Sequence, residues 1–421
     1  MATPEGNTAA DEDIAAGNAP AGPLRTLREL PRPVIVLLCA VALNRMGSFL
    51  AIFLVLYLTH LGDSPSAAGL ALTVYGIGSI AGTFAGGSFT ERAGARNTIA
   101  ASMLLSGVAV GGVAVVNGFA ALLALSFAAG ALTQAYRPAA TTLLAELTPR
   151  SRLVTTSAAS RLGMNVGSAV GPLLGVWLLT YSYAAVFLVN ASVSLVVAVV
   201  AWFALPRRGD RAGAGAPQAA AGPGAGAGPP RYRDLLRDHR FLLFLAGMFL
   251  TAVAEIQYQS ILPLEIRARG LPTAVYGAVV ALNGALVIAV ELPLTKFIQR
   301  LPMRVTIAAG CLLLGGGLGL FGIPAGEWIF FAGTVAWTAG EIISAPSIVA
   351  YPATTAPTAR LRSRYIGALA TCQAAGWAIG PSIGTLAYQH VGSAAWAMCA
   401  VLGLAAFAFM WLGVRHDYLP A

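Results

Sequence analysis

Apolar residues fall in long unbroken blocks, each close to the roughly 20 residues a helix needs to cross a hydrocarbon layer, and short polar connections separate them. Twelve blocks can be marked, beginning near Pro33, Ala68, Asn97, Phe119, Ser157, Ala184, Phe241, Thr273, Met303, Trp328, Ser363 and Ser393. They are continuous in Leu, Val, Ala and Gly, whereas the strands of a membrane barrel alternate apolar with polar over short stretches. The pattern therefore predicts an all-α membrane protein with twelve transmembrane helices.

Composition agrees with that reading. Of 421 residues, 57% are hydrophobic and 10% charged, too apolar a mixture to be hidden in one water-soluble core, so the lipid bilayer is the expected surrounding. The net charge of +9 would suit nucleic acid if it formed one basic face, but it sits at the ends of the apolar blocks, and no nucleic-acid partner is expected. With the N-terminus inside, 21 of the 26 Lys and Arg residues fall in cytoplasmic segments and only Arg267 and Arg269 fall outside. That asymmetry places both termini in the cytoplasm of a cell-membrane protein. Cys39, Cys311, Cys372 and Cys399 all lie in apolar blocks and are expected to act as small hydrophobes.

Between Arg207 and Arg240 the chain becomes rich in Ala, Gly and Pro, which predicts a linker without its own fold. The expected organisation is a disordered cytoplasmic tail over 1–32, a six-helix bundle over 33–205, a cytoplasmic linker over 206–240, a second six-helix bundle over 241–414, and a cytoplasmic tail over 415–421. Displacing the second half by 208 residues superposes Gly62 on Gly270, Gly69 on Gly277, Arg92 on Arg300, Arg96 on Arg304 and Pro138 on Pro346. At a spacing of 209, Gly167, Gly171, Pro172 and Gly175 match Gly376, Gly380, Pro381 and Gly384. Two pseudo-symmetric bundles facing each other across a central path would give alternating access if one rocks against the other.

After the second block, Gly87 is followed by Glu91-Arg92, Gly94 and Arg96; in the fifth, Gly163, Gly167, Gly171, Pro172 and Gly175 recur every fourth residue. The first group resembles the loop signature of the major facilitator superfamily, with Glu91 in place of the usual Asp. The second resembles the superfamily's antiporter motif, with Val176 in place of its last glycine. Asn44-Arg45, Tyr136-Arg137-Pro138 and Gly340-Glu341 with Pro346 are similar to the twelve-helix drug:proton antiporters within it. The resemblance runs from about Pro33 to about Val414 and implies the major facilitator fold. It also implies a cytoplasmic gate at Gly87, Glu91, Arg92, Gly94 and Arg96, for which Glu146 is an available partner. A solvated positive turn and ordinary small-residue packing would account for the same residues.

Ionisable groups inside the blocks divide by half: Arg45, Arg137 and Arg161 in the first, Glu255, Glu291 and Glu341 in the second. Each costs roughly 2.5–3.5 kcal/mol at mid-helix, so a task is expected of them: an electrostatic seam made and broken as the bundles move, or a fixed ion pair. Glu255 and Glu341 are the proton-coupling candidates, because a carboxylate can take up and release a proton as access changes. Asn44, Tyr75, Tyr136, Gln257, Tyr258, Asn283, Trp337 and Trp377 are candidate cargo contacts. The four histidines are scattered, and neither a phosphate loop nor a metal-ligand spacing appears, so no enzyme, cofactor or metal is expected. With the resemblance, this gives proton-coupled export of small amphipathic or cationic organic compounds by a monomer, against metabolite uptake or facilitated diffusion, or a transporter-like sensor. The charge asymmetry predicts that cysteines introduced at Ser66 and Gly213 label from opposite faces of the membrane; labelling of both by an impermeant reagent outside intact cells would contradict it.

Overall fold

The computed structural model describes residues 30–116, 118–148, 153–206, 232–298 and 300–415. Most of the expected N-terminal tail, the Ala/Gly/Pro run of the linker, Gln299, and all of the last segment but Arg415 lie outside the described residues. The described part is helical: α1 Arg32–Met46, α2 Leu50–His60, α3 Pro65–Ala93, α4 Ala95–Val113, α5 Phe119–Leu147, α6 Leu153–Leu179, α7 Tyr183–Ala204, α8 Tyr232–Arg237, α9 His239–Glu255, α10 Gln257–Ser260, α11 Leu262–Ala268, α12 Thr273–Ile298, α13 Met303–Gly319, α14 Trp328–Thr355, α15 Ala359–Val391 and α16 Trp396–Gly413. No strand occurs among the described residues. Within the expected linker, 232–237 forms the short helix α8, a departure from an unfolded segment.

Among the described residues, ten segments are long and apolar enough to cross a membrane. The count falls short of twelve for two reasons. Residues 364–413 form one continuous segment containing α15 and α16, joined by a short 3-10 turn. Helix α4 has 19 residues but begins with Arg96, Asn97 and Thr98, which dilute its apolar character.

Local chemistry sets the helix ends. Ser64 caps α3 by accepting from the Ala67 amide, with Pro65 at the first helical position. Gly94 ends α3 at φ +83°, a backbone shape glycine adopts without a Cβ clash, and starts α4. Asp238 caps α9 by accepting from the Phe241 amide at 3.1 Å.

Two of the apolar blocks are interrupted in their middle, at corresponding places. The first breaks at residues 47–49, between α1 and α2; the amides of Phe49 and Leu50, freed by the break, both donate to Asn190 Oδ1 of α7, at 3.0 and 3.1 Å. The seventh breaks at Ile256, between α9 and α10, and again at Ile261. Ser48 and Ile256 stand 208 residues apart, the offset of the repeat. Paired interruptions of this kind mark the part of a carrier fold where backbone is released from helix.

Within the first half, α3 lies on α5 through glycine: a methyl group at Gly78, Gly82 or Gly86 would overlap the carbonyl of Phe127, Ala131 or Ala135, and one at Gly130 would overlap that of Tyr75. In lipid, where apolar burial between helices gains little, such close approach supplies the packing energy.

The halves meet along two seams built alike. In one, Gly277 and Gly284 of α12 face Val176, Pro172 and Ala169 of α6; in the other, Gly69 and Gly76 of α3 face Thr385, Pro381 and Ala378 of α15. The glycines are related by 208 and their partners by 209. The α3–α15 seam adds hydrogen bonds: Thr73 Oγ1 and Ser382 Oγ lie 2.8 Å apart, and the Ser66 amide donates to Gln389 Oε1 at 3.3 Å. The α6–α12 side adds Tyr276, packed edge-on to Phe53 with ring centroids 6.2 Å apart. All of these contacts lie in the halves of the helices away from the described chain ends. Toward those ends the seams part: Gly87 and Gly367 have nothing within 4 Å of a Cβ position, and 74% of the Arg161 side chain is exposed. The molecule is closed at one end and open at the other.

The two kinds of glycine contact predict different failures. Gly82→Leu overpacks one half and should lower unfolding stability by about 1–3 kcal/mol or more, read by thermal denaturation in detergent. Gly76→Leu should leave each half folded yet hold the closed end apart, read as faster thiol labelling of a cysteine at Thr73.

Candidate substrate cavity

Beside the break after Glu255, the two carboxylates of the centre come together. Glu255 Oε2 accepts from Trp377 Nε1 at 3.2 Å, and Glu341 Oε2 accepts from Asn283 Nδ2 at 3.0 Å, with Asn283 also donating to Thr338 Oγ1 at 3.0 Å. The two acids lie within electrostatic reach of each other. Among the described residues neither is paired with an arginine, so the fixed ion pair weighed for them is not present. Tyr258 stacks at 4.9 Å on Trp337, which is 2% exposed, and lies within electrostatic reach of Glu255, Glu341 and, across the seam, Arg45.

The first half contributes cations. Arg45 ends α1 just before its break; its Nε donates to Ser168 Oγ of α6 at 2.8 Å and its side chain is exposed. Arg137 on α5, also exposed, donates from Nη1 to Gln134 Oε1 at 3.2 Å. Tyr75, buried between α3 and α5, lies within electrostatic reach of both. Neither arginine has a carboxylate partner among the described residues. Asn44 and Tyr136 are buried beside them.

Arg161 and Glu291 do meet, at 4.0 Å across the open end of the α6–α12 seam. At that length and exposure the pair is weak.

Three expectations come out differently. Gln257 is fully buried, with Nε2 donating to the carbonyls of Val253 and Gly380 at 2.7 and 2.9 Å and Oε1 accepting from Ser260 at 2.5 Å. Its amide splints the α9–α10 break to α15 and has nothing left for cargo. The Gly163, Gly167, Gly171 and Gly175 stripe faces Ala42, Arg45, Met46 and Phe53 of α1 and α2; it packs within one half, and Pro172 beside it reaches the other. Arg96, expected in the gate with Arg92 and Glu91, is 7% exposed; it donates from Nη2 to the carbonyl of Trp202 at the end of α7, with its guanidinium 4.8 Å from that indole's centroid. Arg304 sits 4.1 Å from the Trp411 ring in the same way. Glu91, Arg92 and Glu146 are exposed at the open end.

Other contacts went unanticipated. Trp202 and Trp411 share the repeat spacing of 209, a signal that was legible. Glu265 is fully buried, bonded to Arg269 at 2.6 Å and to Ser393 at 2.8 Å, while Arg269 also donates to the carbonyls of Phe321 and Ile323. The i,i+4 spacing announced that pair, but Arg269 had been read as a loop charge.

The family model described as Major Facilitator Superfamily matches residues 37–381. The chain belongs to this superfamily. Two curated relatives are the uncharacterized MFS-type transporter YqjV of Bacillus subtilis (strain 168), 22% identical over 83% of this chain and 85% of that protein, and a Na(+), Li(+), K(+)/H(+) antiporter of Planococcus maritimus, 23% identical over 83% and 88%. Among solved structures, a mutant of the nucleoside transporter NupG superposes with a TM-score of 0.76 at 13% identity, covering 90% of this chain and 98% of that one. A POT family transporter holding a thioalcohol-conjugated peptide gives 0.71 at 15% identity, covering 91% and 97%. At these identities the likeness carries the fold. This major facilitator protein is a multi-pass membrane transporter with the superfamily's all-helical fold.

The Arg96–Trp202 clasp predicts a structural role. Arg96→Ala and Trp202→Ala should each cost about 1–3 kcal/mol of stability, with the double variant well short of the sum, measured by denaturation of the purified protein. Unchanged stability with reduced turnover would return Arg96 to the gate.

Proposed function

We propose that the protein is a monomeric secondary carrier in which the bundles over 33–205 and 241–414 rock about the two glycine seams, crossing the membrane twelve times with both termini and the linker in the cytoplasm. In that orientation the conformation described is open to the cytoplasm and closed outside. The gate residues Gly87, Glu91, Arg92, Gly94 and Glu146 then lie at the inner ends that must converge in the opposite state. The coupling ion is the proton, and the direction is export of small organic compounds, amphipathic or cationic.

One observation carries this reading: Glu255 and Glu341 are held at the centre by the neutral donors Trp377 and Asn283. A carboxylate locked to an arginine would resist protonation, whereas one hydrogen-bonded to an indole or an amide can be charged in one state and neutral in the other. Arg45 lies on the other half, within electrostatic reach of the same Tyr258 that both acids approach, so the field at the centre changes whenever the halves move. The Planococcus relative, named as exchanging cations for protons, supports antiport. It also gives weight to a second cargo, an alkali cation, which two adjacent carboxylates would attract.

Glu255→Gln, Glu341→Gln and the double variant test the proposal in proteoliposomes, with a cargo found by growth of a transporter-deficient host on a compound panel. Neutralising the coupling residue should abolish accumulation driven by a pH gradient while leaving cargo exchange across the membrane intact, since exchange needs no net proton movement. Gradient-driven accumulation by all three variants would exclude these residues from the proton path.

A further inference from the structure

The central charges are not equivalent in how they can be neutralised. Glu255 and Glu341 can each take a proton. Arg45 and Arg137 cannot lose one, since a guanidinium stays charged in any protein environment. In the open state their exposed head groups are hydrated. When the open end closes, that water is lost, and an unpaired guanidinium in a low-dielectric centre costs several kcal/mol. Arg45 has spent one of its five N–H groups on Ser168 and Arg137 one on Gln134, which leaves both with free donors.

A crevice of about 100 Å³ between α1, α5 and α6 is lined by Arg137 together with Leu37, Val41, Ala140, Leu144 and Met164. Leu38, Val41 and Arg45 fall at i, i+3 and i+7 on α1, so the apolar wall and the Arg45 guanidinium share one helix face. An apolar recess lined by Arg137, with Arg45 farther along the same α1 face and neither arginine paired with a carboxylate among the described residues, is complementary to a small amphipathic anion. A cationic cargo would meet the opposite charge only on the second half and would leave both arginines unpaired.

Resting on the carrier reading above, we infer that the cargo is an organic anion, with a carboxylate, sulfonate or phosphonate head taken by Arg45 and Arg137 and a short apolar end seated in the crevice of the first half. Bound anion then neutralises the arginines on closure.

The test uses the full chain in detergent and three probes of equal chain length: butanesulfonate, butan-1-ol and butylammonium. Binding is followed by isothermal titration and by the shift in unfolding temperature. Butanesulfonate should bind and stabilise more strongly than the other two. Arg45→Gln and Arg137→Gln should each weaken it by about 10-fold or more, the loss of a charge-assisted hydrogen bond, while Arg45→Lys should retain part of the affinity and so report a folded site. Butylammonium binding as well as butanesulfonate, no butanesulfonate binding by the wild type, or unchanged affinity in both Gln variants would overturn the inference. Because these are equilibrium readouts, failure of the carrier reading is separately visible: butanesulfonate would bind with the expected arginine dependence, yet no pH-driven flux would be found.

Discussion

Helices in lipid gain little by hiding apolar side chains from one another, because the hydrocarbon around them is as apolar as leucine. What distinguishes a contact is how closely two backbones approach, and in this protein glycine decides that. Gly78, Gly82, Gly86 and Gly130 bind α3 to α5 inside one half; Gly69, Gly76, Gly277 and Gly284 bring the halves together at one end only. The first set holds the first half together. The second makes the joint between the bodies, where hydroxyls and an edge-on aromatic pair lie beside a buried apolar cluster shared by both halves, Phe49, Phe53 and Leu56 with Ile261, Leu262 and Tyr276.

The centre of the molecule depends on that joint. Residues released at the breaks near Ser48 and Ile256 stand beside Arg45 and Glu255, one break capped by Asn190 and the other splinted by Gln257. Rigid side-chain caps let the helices be interrupted without leaving buried amides unsatisfied. The cations lie on one body and the acids on the other, and Arg161 and Glu291 meet between them at 4.0 Å. Motion of the bodies therefore alters the electrostatic environment of every central charge at once.

Much of this was legible in the sequence. Block length and continuity announced membrane helices, and the repeat offset identified Gly69 with Gly277 and Pro172 with Pro381, which prove to be seam residues. What the sequence could not display was which face of a helix meets which neighbour. The Gly163–Gly175 stripe is the more conspicuous pattern, yet it packs inward on α1 and α2, while the inter-half contacts fall on Ala169, Pro172 and Val176. The likeness to the loop signature puts Arg96 in the gate, whereas its clasp with Trp202, 106 positions away, depends on tertiary packing. Gln257 appeared available to cargo because a polar residue at mid-membrane can serve a ligand or a broken backbone, and only the hydrogen bonds separate the two.

The central claim is that two rigid halves rock about glycine seams, with one end closed while the other is open. Pulsed electron-spin distance measurement tests it most directly, using one spin-label pair at Ser66 and Gln389 on the closed end and a second at Arg161 and Glu291 on the open end, each in the full chain in nanodiscs. The account predicts two populations at each pair and an opposite response when pH is changed: the Ser66–Gln389 distance lengthens as the Arg161–Glu291 distance shortens. Distances that lengthen or shorten together, or a single unchanging distance at both ends, would contradict it.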